Sequence, residues 1–250
     1  MLRGLAAGAA ALLLAGRGPL ADEAGGGVVR AVTRGDLLRL EDGRELRLAG
    51  IVTPGPLSGH DRAAPLAEEA RAALEDAAAG RKVAFVPLGG DRHGRILAEV
   101  AVEGGGSLQG GLVQRGLAWV WPGPLPPAAF AALLEEERAA EAAGRGLWAM
   151  PWLRPEAAAS VRANAPRFAL VSGRVLETAR QRRYVYLNFG ADWRRDFTAR
   201  VPLPEARVME RAGFDPQELA DRVVRVRGWL FAMGGPMIEV TERGQIEELA

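Results

Sequence analysis

The sequence predicts an α+β fold made of two small β-barrels with accompanying helices. From Val28 to Val52, apolar and polar residues alternate on either side of Asp42-Gly43, a pair that accepts positive φ and is typical of a β-hairpin turn. Two amphipathic or Ala/Glu-rich helical stretches follow, one over Ala64–Ala79 and one that starts at Pro127. Beyond residue 166 the chain returns to short strand-like segments, so both halves combine strands with a few helices.

The first 21 residues predict a secretory signal peptide. Met1-Leu2-Arg3 gives a positive start, and Leu5–Ala15 is an uncharged, largely apolar run. That run is too short to cross a bilayer, which needs about 20 residues, and small residues follow it up to Ala21. We therefore expect a periplasmic or secreted protein without transmembrane association after cleavage. A short N-terminal membrane anchor is the alternative interpretation.

Composition limits the kinds of site that the chain can form. It has no cysteine, which excludes disulfides, thiol nucleophiles and Cys-ligated zinc, and two histidines are too few for a transition-metal site. Residues 22–155 hold 15 basic and 18 acidic side chains, and residues 166–250 hold 14 and 12. Neither balance is that of a tight nucleic-acid binder, so we expect any binding of a polyanion to be local.

The chain divides at a Pro- and Ala-rich segment. We predict a first barrel domain over residues 27–150, a linker over 151–166 and a second domain over 167–250. Five short strands and a helix at Pro204–Ala212 indicate that the second domain is a small closed barrel of the oligonucleotide-binding type. The five predicted strands are Leu170–Leu176, Tyr184–Phe189, Phe197–Val201, Val223–Phe231 and Met237–Val240.

Five short segments of the first domain occur in a recognisable order. They are Arg34-Gly35-Asp36, Arg47–Pro54, Asp91–Arg95, Leu112–Ala118 and Gly146–Trp148. None of them is specific alone, but their order and spacing over roughly residues 28–150 resemble the staphylococcal-nuclease (thermonuclease) family. The resemblance implies a barrel that binds one calcium ion and cleaves phosphodiester bonds in DNA and RNA.

The resemblance also implies roles for individual residues. Asp36 matches the first calcium-ligating aspartate of the family, and Thr53 matches the residue that offers a backbone carbonyl to the metal. Arg47 and Arg95 match the two phosphate-binding arginines. Arginines suit this role because negative charge increases on a phosphodiester as water attacks it.

Two positions depart from the family pattern. Where the family reads Asp-Thr-Pro-Glu, this chain reads Val52-Thr53-Pro54-Gly55. Val52 thus replaces the second calcium-ligating aspartate, and Gly55 replaces the glutamate that activates water as general base. Loss of a general base typically costs about 10²–10⁴ in rate, and one carboxylate is a poor match to the roughly six to eight oxygen ligands of calcium. We therefore expect weak calcium binding at most and weak or no hydrolysis.

Neighbouring side chains do not obviously replace the lost groups. His60 and Asp61 lie in the loop after Pro54, and we interpret them as solvated loop residues. Asp36, Arg47 and Arg95 could each be explained singly by a turn or an ion pair. Taken together in one barrel, they favour a retained anion-binding pocket.

Arg182, Tyr184 and Tyr186 predict a second binding surface. Alternate residues of a strand point to the same face, so these three side chains lie together. A basic group and two aromatic rings on one face suit single-stranded nucleic acid, which offers phosphates and stacking bases. The other interpretation is structural, since aromatic residues are favourable in any strand.

Three functions from different classes remain open on the sequence. The first is an exported protein that binds nucleic acid, a nucleotide or another phosphate-bearing ligand with little or no cleavage. The second is an active metal-dependent phosphodiesterase with an altered site. The third is a non-catalytic scaffold that binds another envelope protein. The departures at Val52 and Gly55 favour the first and third functions.

Overall fold

The structure is a computed structural model that describes residues 24–249. The predicted signal peptide, residues 1–21, lies outside the described residues. Within residues 24–249, none of the helices combines the length and the apolar character needed to cross a membrane.

The first half of the described chain contains a closed five-stranded barrel. Its elements are β1 (Gly25–Arg34), β2 (Leu37–Leu40), β3 (Glu45–Leu48), β4 (Ile51–Val52), α1 (Ala64–Ala78), β5 (Lys82–Gly90), β6 (Ile96–Val102), α2 (Leu108–Gln114), β7 (Trp119–Val120) and α3 (Pro127–Ala142). The barrel closes in the order β1-β2-β3-β6-β5, with β3 and β6 parallel, while β4 and β7 form a separate antiparallel pair. The predicted barrel with helices is confirmed.

The predicted hairpin is the pair β2–β3. Leu38 and Leu46 pair across it and are fully buried, whereas Arg39 and Arg47 on the same strands point outward. The connection is longer than a two-residue turn, because the Leu40 N–H donates to the Arg44 carbonyl at 2.9 Å. Gly43 adopts φ +88°, but Asp42 does not have positive φ, so the expectation that both turn residues would do so is wrong.

Helix α1 packs on the barrel through small side chains. Ala70, Ala73, Leu74 and Ala78 are buried at spacings of three and four residues, which places them on one face. A Cβ atom on Gly35 would lie 2.7 Å from the Cβ of Ala70. The glycine therefore lets the helix contact the β1–β2 turn directly.

The second half repeats the strand order of the first. Its elements are β8 (Glu156–Ala157), β9 (Arg167–Arg174), β10 (Glu177–Arg180), β11 (Tyr184–Asn188), β12 (Thr198–Pro202), α4 (Leu203–Arg211), β13 (Val223–Met233), β14 (Gly235–Glu239) and β15 (Ile246–Glu248). The sheet order is β10-β11-β12-β14-β13-β9-β8, with β12 and β14 parallel and β15 paired to β13. Of these strands, β8, β10 and β15 were not expected from the sequence, because they are short and polar.

The second sheet differs in one respect from the closed barrel expected. Its path runs from β10 to β8, and within residues 24–249 these two end strands do not pair with each other. Instead β9 and β10 are consecutive pieces of one bent strand, separated by Val175-Leu176. The first piece pairs with β13 and the second with β11, so the chain itself connects the two sides of the sheet.

The segment predicted as a linker, residues 151–166, is folded against both halves. It contains a 3₁₀ helix at Pro151–Leu153 and the strand β8, which pairs in parallel with β9. Leu153 is buried against the first half, and Ala158 and Val161 are buried in the core of the second. These apolar residues are too few and too irregularly spaced to show a periodic pattern.

An apolar cluster joins the two halves, and we call it the interdomain cluster. It includes the buried tryptophans Trp119 and Trp148 and the buried Phe168, and the ring centroids of Trp119 and Phe168 lie 5.5 Å apart. Its buried members are Ala63, Trp119, Ala140, Leu147, Trp148, Leu153, Phe168 and Leu170. Burial of large aromatic side chains makes this contact a substantial source of stability.

A buried ion pair connects α3 to β13 beside this cluster. Arg227 Nη1 lies 2.8 Å from Glu137 Oε2, and each side chain is only 1% exposed. Both residues also bind Val120, whose N–H donates to Glu137 at 2.6 Å and whose carbonyl accepts from Arg227 at 2.8 Å. A buried charge without its partner is strongly unfavourable, so each member of this pair depends on the other.

Two more exposed ion pairs flank the buried one. Arg225 donates to both carboxylate oxygens of Glu141 at 2.8 and 3.0 Å, and Arg138 lies 2.8 Å from Glu247. These pairs contribute less to stability because solvent screens them. They nevertheless place opposite charges against each other where α3 contacts β13 and β15.

We expect Arg227→Leu to lower the free energy of unfolding by about 3–5 kcal/mol, because Glu137 is left as a buried charge without a partner. Urea unfolding followed by tryptophan fluorescence measures the change. Arg71→Ala, which removes an exposed pair on α1, is the control and should cost no more than about 1 kcal/mol. Equal effects of the two substitutions would contradict a stabilising role for the buried pair.

Candidate functional site

Two arginines bind the Asp36 carboxylate at the β1–β2 turn. Arg34 donates from Nε to Oδ1 at 3.0 Å and from Nη2 to Oδ2 at 3.3 Å. Arg47, which projects outward from β3, donates from Nε to Oδ2 at 3.1 Å. Asp36 itself is buried, being 6% exposed. Both carboxylate oxygens are therefore already bound to guanidinium groups.

Arg95 is held by an aspartate of its own turn. Its side chain lies 2.6 Å from Asp91 Oδ2, while the backbone N–H groups of His93 and Arg95 donate to Asp91 Oδ1 at 2.8 and 3.2 Å. Burial raises the pKa of Asp91, but these hydrogen bonds outweigh it and bring the pKa to about 2. Asp91 is thus ionised and fixes the position of the Arg95 guanidinium.

Arg47 and Arg95 lie on neighbouring parts of the barrel. In the parallel pair β3–β6, Arg47 lies beside Leu97, and Arg95 lies in the turn one residue before β6 begins. The side chain of Arg95 is 12% exposed, whereas that of Arg47 is 38% exposed. The structure thus brings Asp36 and Arg47 into direct contact and holds Arg95 on its own aspartate, Asp91.

This set of side chains does not fit a calcium ion. Calcium takes roughly six to eight oxygen ligands, whereas the two oxygens of Asp36 accept hydrogen bonds from arginines. Across the described part of the chain, no group of three or more His, Cys, Asp or Glu side chains could hold a metal ion. The guanidinium of Arg34 supplies the positive charge beside Asp36.

The side chain of Val52 lies at the interface between the two halves. It pairs with Trp119 in the β4–β7 ladder, and its side chain packs against the interdomain cluster. A carboxylate at this position would place a charge against buried aromatic rings, which is costly. Val52 therefore contributes to packing between the two halves.

Gly55 has a backbone conformation that only glycine adopts readily. Its φ is +138° and its ψ is −168°, and a Cβ atom there would lie 2.8 Å from the Cβ of Ala67 on α1. Its carbonyl accepts hydrogen bonds from the Ser58 N–H, the Ser58 hydroxyl and the His60 N–H. The loop is thus built around a residue that cannot carry a general base.

A cleft of about 260 Å³ lies beside these residues, between the β1–β2 turn and α1. Thr53, Gly55 and Arg34 line it, together with Glu68 and Arg71 of the helix. Arg71 donates to both carboxylate oxygens of Glu68, and this hydrogen bonding lowers the pKa of Glu68. A carboxylate with a lowered pKa is a weak base, so Glu68 is poorly suited to activate water.

His60 faces the second domain. Its Nε2 lies 2.8 Å from the Phe168 carbonyl oxygen, and because a carbonyl only accepts, Nε2 carries the proton. The ring lies 5.4 Å from that of Trp119. Burial lowers the pKa of His60, outweighing the opposite effect of the hydrogen bond to Phe168. His60 thus joins the loop to β9, and Asp61 beside it is exposed.

Two of the three residues of the second predicted surface, Tyr184 and Tyr186, lie in a strand as expected. Val185 and Leu187 are buried on β11, so Tyr184 and Tyr186 share its outer face, with ring centroids 5.8 Å apart. Arg182 is exposed but lies in the turn before β11 rather than in the strand. The guanidinium of Arg200, which the sequence did not single out, lies 4.6 Å from the Tyr184 ring.

Residues 45–150 match the family model described as Staphylococcal nuclease homologue. This part of the chain is a staphylococcal-nuclease-like domain. Arg47, Val52, Thr53, Gly55 and Arg95 fall inside the match. A search of curated proteins gave no match.

The nuclease-like domain is completed by residues that precede the matched range. Strands β1 and β2, over residues 25–40, close the barrel with β3, β6 and β5. They also contribute Arg34 and Asp36 to the arginine cluster. Sequence reasoning gave Arg34 no role, because an arginine two residues from an aspartate is common and only the turn geometry brings the two side chains together.

We expect Gly55→Ala to lower the free energy of unfolding by about 1–3 kcal/mol, because the backbone there is unfavourable for any residue with a Cβ. Gly55→Glu should be destabilised at least as much. Chemical unfolding measures both. Gly111→Ala in α2, where a Cβ meets no neighbour within 4 Å, is the control and should be neutral or slightly stabilising. Wild-type stability of Gly55→Ala would refute this reading of the loop.

Lowering the pH should weaken the contact of His60 with the Phe168 carbonyl. The unfolded chain takes up the histidine proton near pH 6.5, while the folded chain resists protonation, so the free energy of unfolding falls as pH drops below about 6.5. The slope for one proton is at most about 1.4 kcal/mol per pH unit. In His60→Gln this part of the pH dependence should be lost.

Unfolding curves at pH 7, 6 and 5 provide the measurement. His93→Gln, which alters an exposed histidine in the β5–β6 turn, is the matched control. Parallel pH profiles for wild type and His60→Gln would show that His60 does not couple the domains to pH.

Proposed function

We propose that the nuclease-like domain binds a phosphate-bearing ligand, a nucleotide or nucleic acid, with weak or no hydrolysis. The observation that carries the proposal is the pair of guanidinium groups held on Asp36, with Arg95 held on Asp91 in the turn before the neighbouring strand β6. Arg34, Arg47 and Arg95 contribute three positive charges against the two negative charges of Asp36 and Asp91. The excess of positive charge, held in fixed positions, suits a phosphate group.

The ion pairs to Asp36 and Asp91 hold the guanidinium groups in fixed positions before an anion binds. A guanidinium has five N–H donors, and the contacts to Asp36 and Asp91 use only part of them. The side chain of Arg47 is 38% exposed, so its remaining donors can bind a ligand without loss of the bond to Asp36. Because the aspartates already restrict these long side chains, binding requires less ordering of the arginines.

In this proposal, no side chain of the site is suited to act as a general base for hydrolysis. Gly55 carries no side chain, Val52 is apolar, and Glu68 is bound by Arg71. Arg34 supplies a fixed positive charge near Asp36, so we propose that anion binding does not need calcium. An active phosphodiesterase with an altered site is the alternative, and the experiments below separate the two.

We further propose that the protein acts outside the cytoplasm, in the periplasm or as a secreted protein. The support is the pattern of Met1–Ala21, with a basic start, an apolar run and small residues. An envelope protein partner is compatible with that location.

Binding of inorganic phosphate and of a 5′-mononucleotide should be measurable by isothermal titration in the presence of a chelator, and added calcium should leave the affinity unchanged. Arg47→Ala should weaken binding by about 10- to 100-fold, the range expected for loss of a charge-assisted hydrogen bond. Arg39→Ala removes an exposed arginine of the neighbouring strand β2 and should bind like wild type. Calcium-dependent binding in the wild type would contradict the proposal.

Two further outcomes discriminate between the functions. Arg34→Ala frees one side of Asp36, so calcium should begin to stabilise this variant against heat while leaving wild type unaffected. If wild type cleaves single-stranded DNA with calcium or manganese, and Arg95→Ala abolishes the cleavage, the phosphodiesterase alternative is correct.

A further inference from the structure

A neutral cleft of about 270 Å³ opens on the outer face of the second sheet. Its volume is large enough for one planar heterocycle. Its lining combines aromatic, thioether, hydroxyl and amide groups without a charged side chain: Ala179, Gln181, Tyr186, Asn188, Trp193, Thr198, Met233 and Met237.

The floor of the cleft is a row of side chains that crosses three strands. Asn188 on β11 pairs with Thr198 on β12, and Thr198 pairs with Met237 on β14. Tyr186 lies two residues before Asn188 and therefore on the same face. The ladder thus fixes the spacing of one ring, one amide and one thioether along this floor.

Trp193 forms a wall of the cleft. It comes from the loop between β11 and β12, and its side chain is packed on Gly234, where a Cβ atom would lie 3.2 Å from Trp193 Cζ3. Asp196 stabilises the loop by accepting the Asp192 N–H at 2.9 Å. Trp193 is nevertheless 56% exposed. An aromatic ring at the wall of a cleft offers a flat apolar face on which a planar ligand can stack.

The side-chain amides of Asn188 and Gln181 can form hydrogen bonds with the edge of a flat ligand. Asn188 Oδ1 accepts from the Thr198 hydroxyl at 3.4 Å, and the side-chain nitrogens of Asn188 and Gln181 donate no hydrogen bond within residues 24–249. An amide offers both donors and an acceptor. A neutral, planar ligand with donors and acceptors around its edge matches this lining.

Arginine side chains lie near the neutral cleft, and one of them, Arg200, donates to the sulfur of Met233 at 2.9 Å. The guanidinium of Arg194 lies 4.9 Å from the Trp193 ring, and Arg182 is exposed in the turn before β11. Arg200 also lies nearby, between the rings of Tyr184 and Phe231, although it is paired with Glu239. A neutral ring attached to negative phosphates is complementary to this arrangement.

We propose that this cleft binds one base of a single-stranded nucleic acid. The base stacks on Trp193 or Tyr186, Asn188 and Gln181 bind its edge, and Arg194 and Arg182 face the flanking phosphates. The inference rests on the proposed function for the ligand class, but it uses a different set of residues.

The long strand β13 connects this cleft to the domain interface. On one face of the strand, Arg227 is buried against the nuclease-like domain and Trp229 contacts Phe168 of the interdomain cluster. Farther along the same face lie Phe231 and Met233, the latter in the cleft. The binding face of the second domain is therefore continuous with the contact to the first.

The test compares two fluorescently labelled single-stranded oligonucleotides of equal length and charge, one with bases and one fully abasic. We expect the full-length wild type to bind the base-containing oligonucleotide about 5- to 100-fold more tightly, the range for loss of one base–aromatic stack. Trp193→Ala should remove this preference, and Trp193→Phe should retain most of it.

Trp152→Ala is the matched control. Trp152 is also an exposed tryptophan with an arginine, Arg62, over its ring at 4.7 Å, but it lies outside the second sheet. Its substitution should leave the preference for bases unchanged. Thermal unfolding of each variant verifies that the fold is retained.

Three results would overturn the inference: equal affinity of wild type for the two oligonucleotides, no binding of either, or equal losses in Trp193→Ala and Trp152→Ala. The proposed phosphate site fails in a different way. If Arg47→Ala leaves the binding of phosphate and of both oligonucleotides unchanged while the preference for bases persists, the base cleft stands and the arginine cluster does not.

Discussion

The ion pair between Glu137 and Arg227 is the contact on which the relation of the two halves depends. Both charges are buried, and both bind Val120, which lies on β7. Strand β7 pairs with β4, and β4 leads directly into Thr53 and the loop of the candidate site. The interface and the candidate site are therefore connected through one short ladder, β4–β7.

The same geometry gives Val52, Gly55 and His60 structural roles in and after β4. Val52 contributes its side chain to the apolar contact with the second half, and Gly55 provides a backbone conformation that brings the loop against α1. His60 then bonds the loop to β9. Carboxylates at the first two positions would place charge in an apolar contact or a side chain in a forbidden conformation. Both positions serve packing: Val52 packs against the interdomain cluster, and Gly55 lies against Ala67 of α1.

What remains at the barrel surface is an electrostatic arrangement in which arginines are positioned by aspartates. Asp36 fixes Arg34 and Arg47, and Asp91 fixes Arg95. This arrangement presents guanidinium donors in fixed positions, which is the basis of the proposed binding of an anion. The second half offers the complementary chemistry, a neutral aromatic and amide cleft. Together the two surfaces match the two chemical parts of a nucleotide, its phosphate and its base.

The sequence by itself determined the features that follow from local pattern: the β2–β3 hairpin, helix α1, the outward alternation of Tyr184 and Tyr186, and the chemical identity of positions 52 and 55. Only the tertiary structure decided which partners these residues have. Neither the hydrogen bond from His60 to Phe168 nor the pairing of Glu137 with Arg227 could be predicted, since each joins residues about a hundred positions apart. The periodicity of a strand or helix determines the face on which a side chain lies. The residues that pack against that face are determined by the packing of the whole chain.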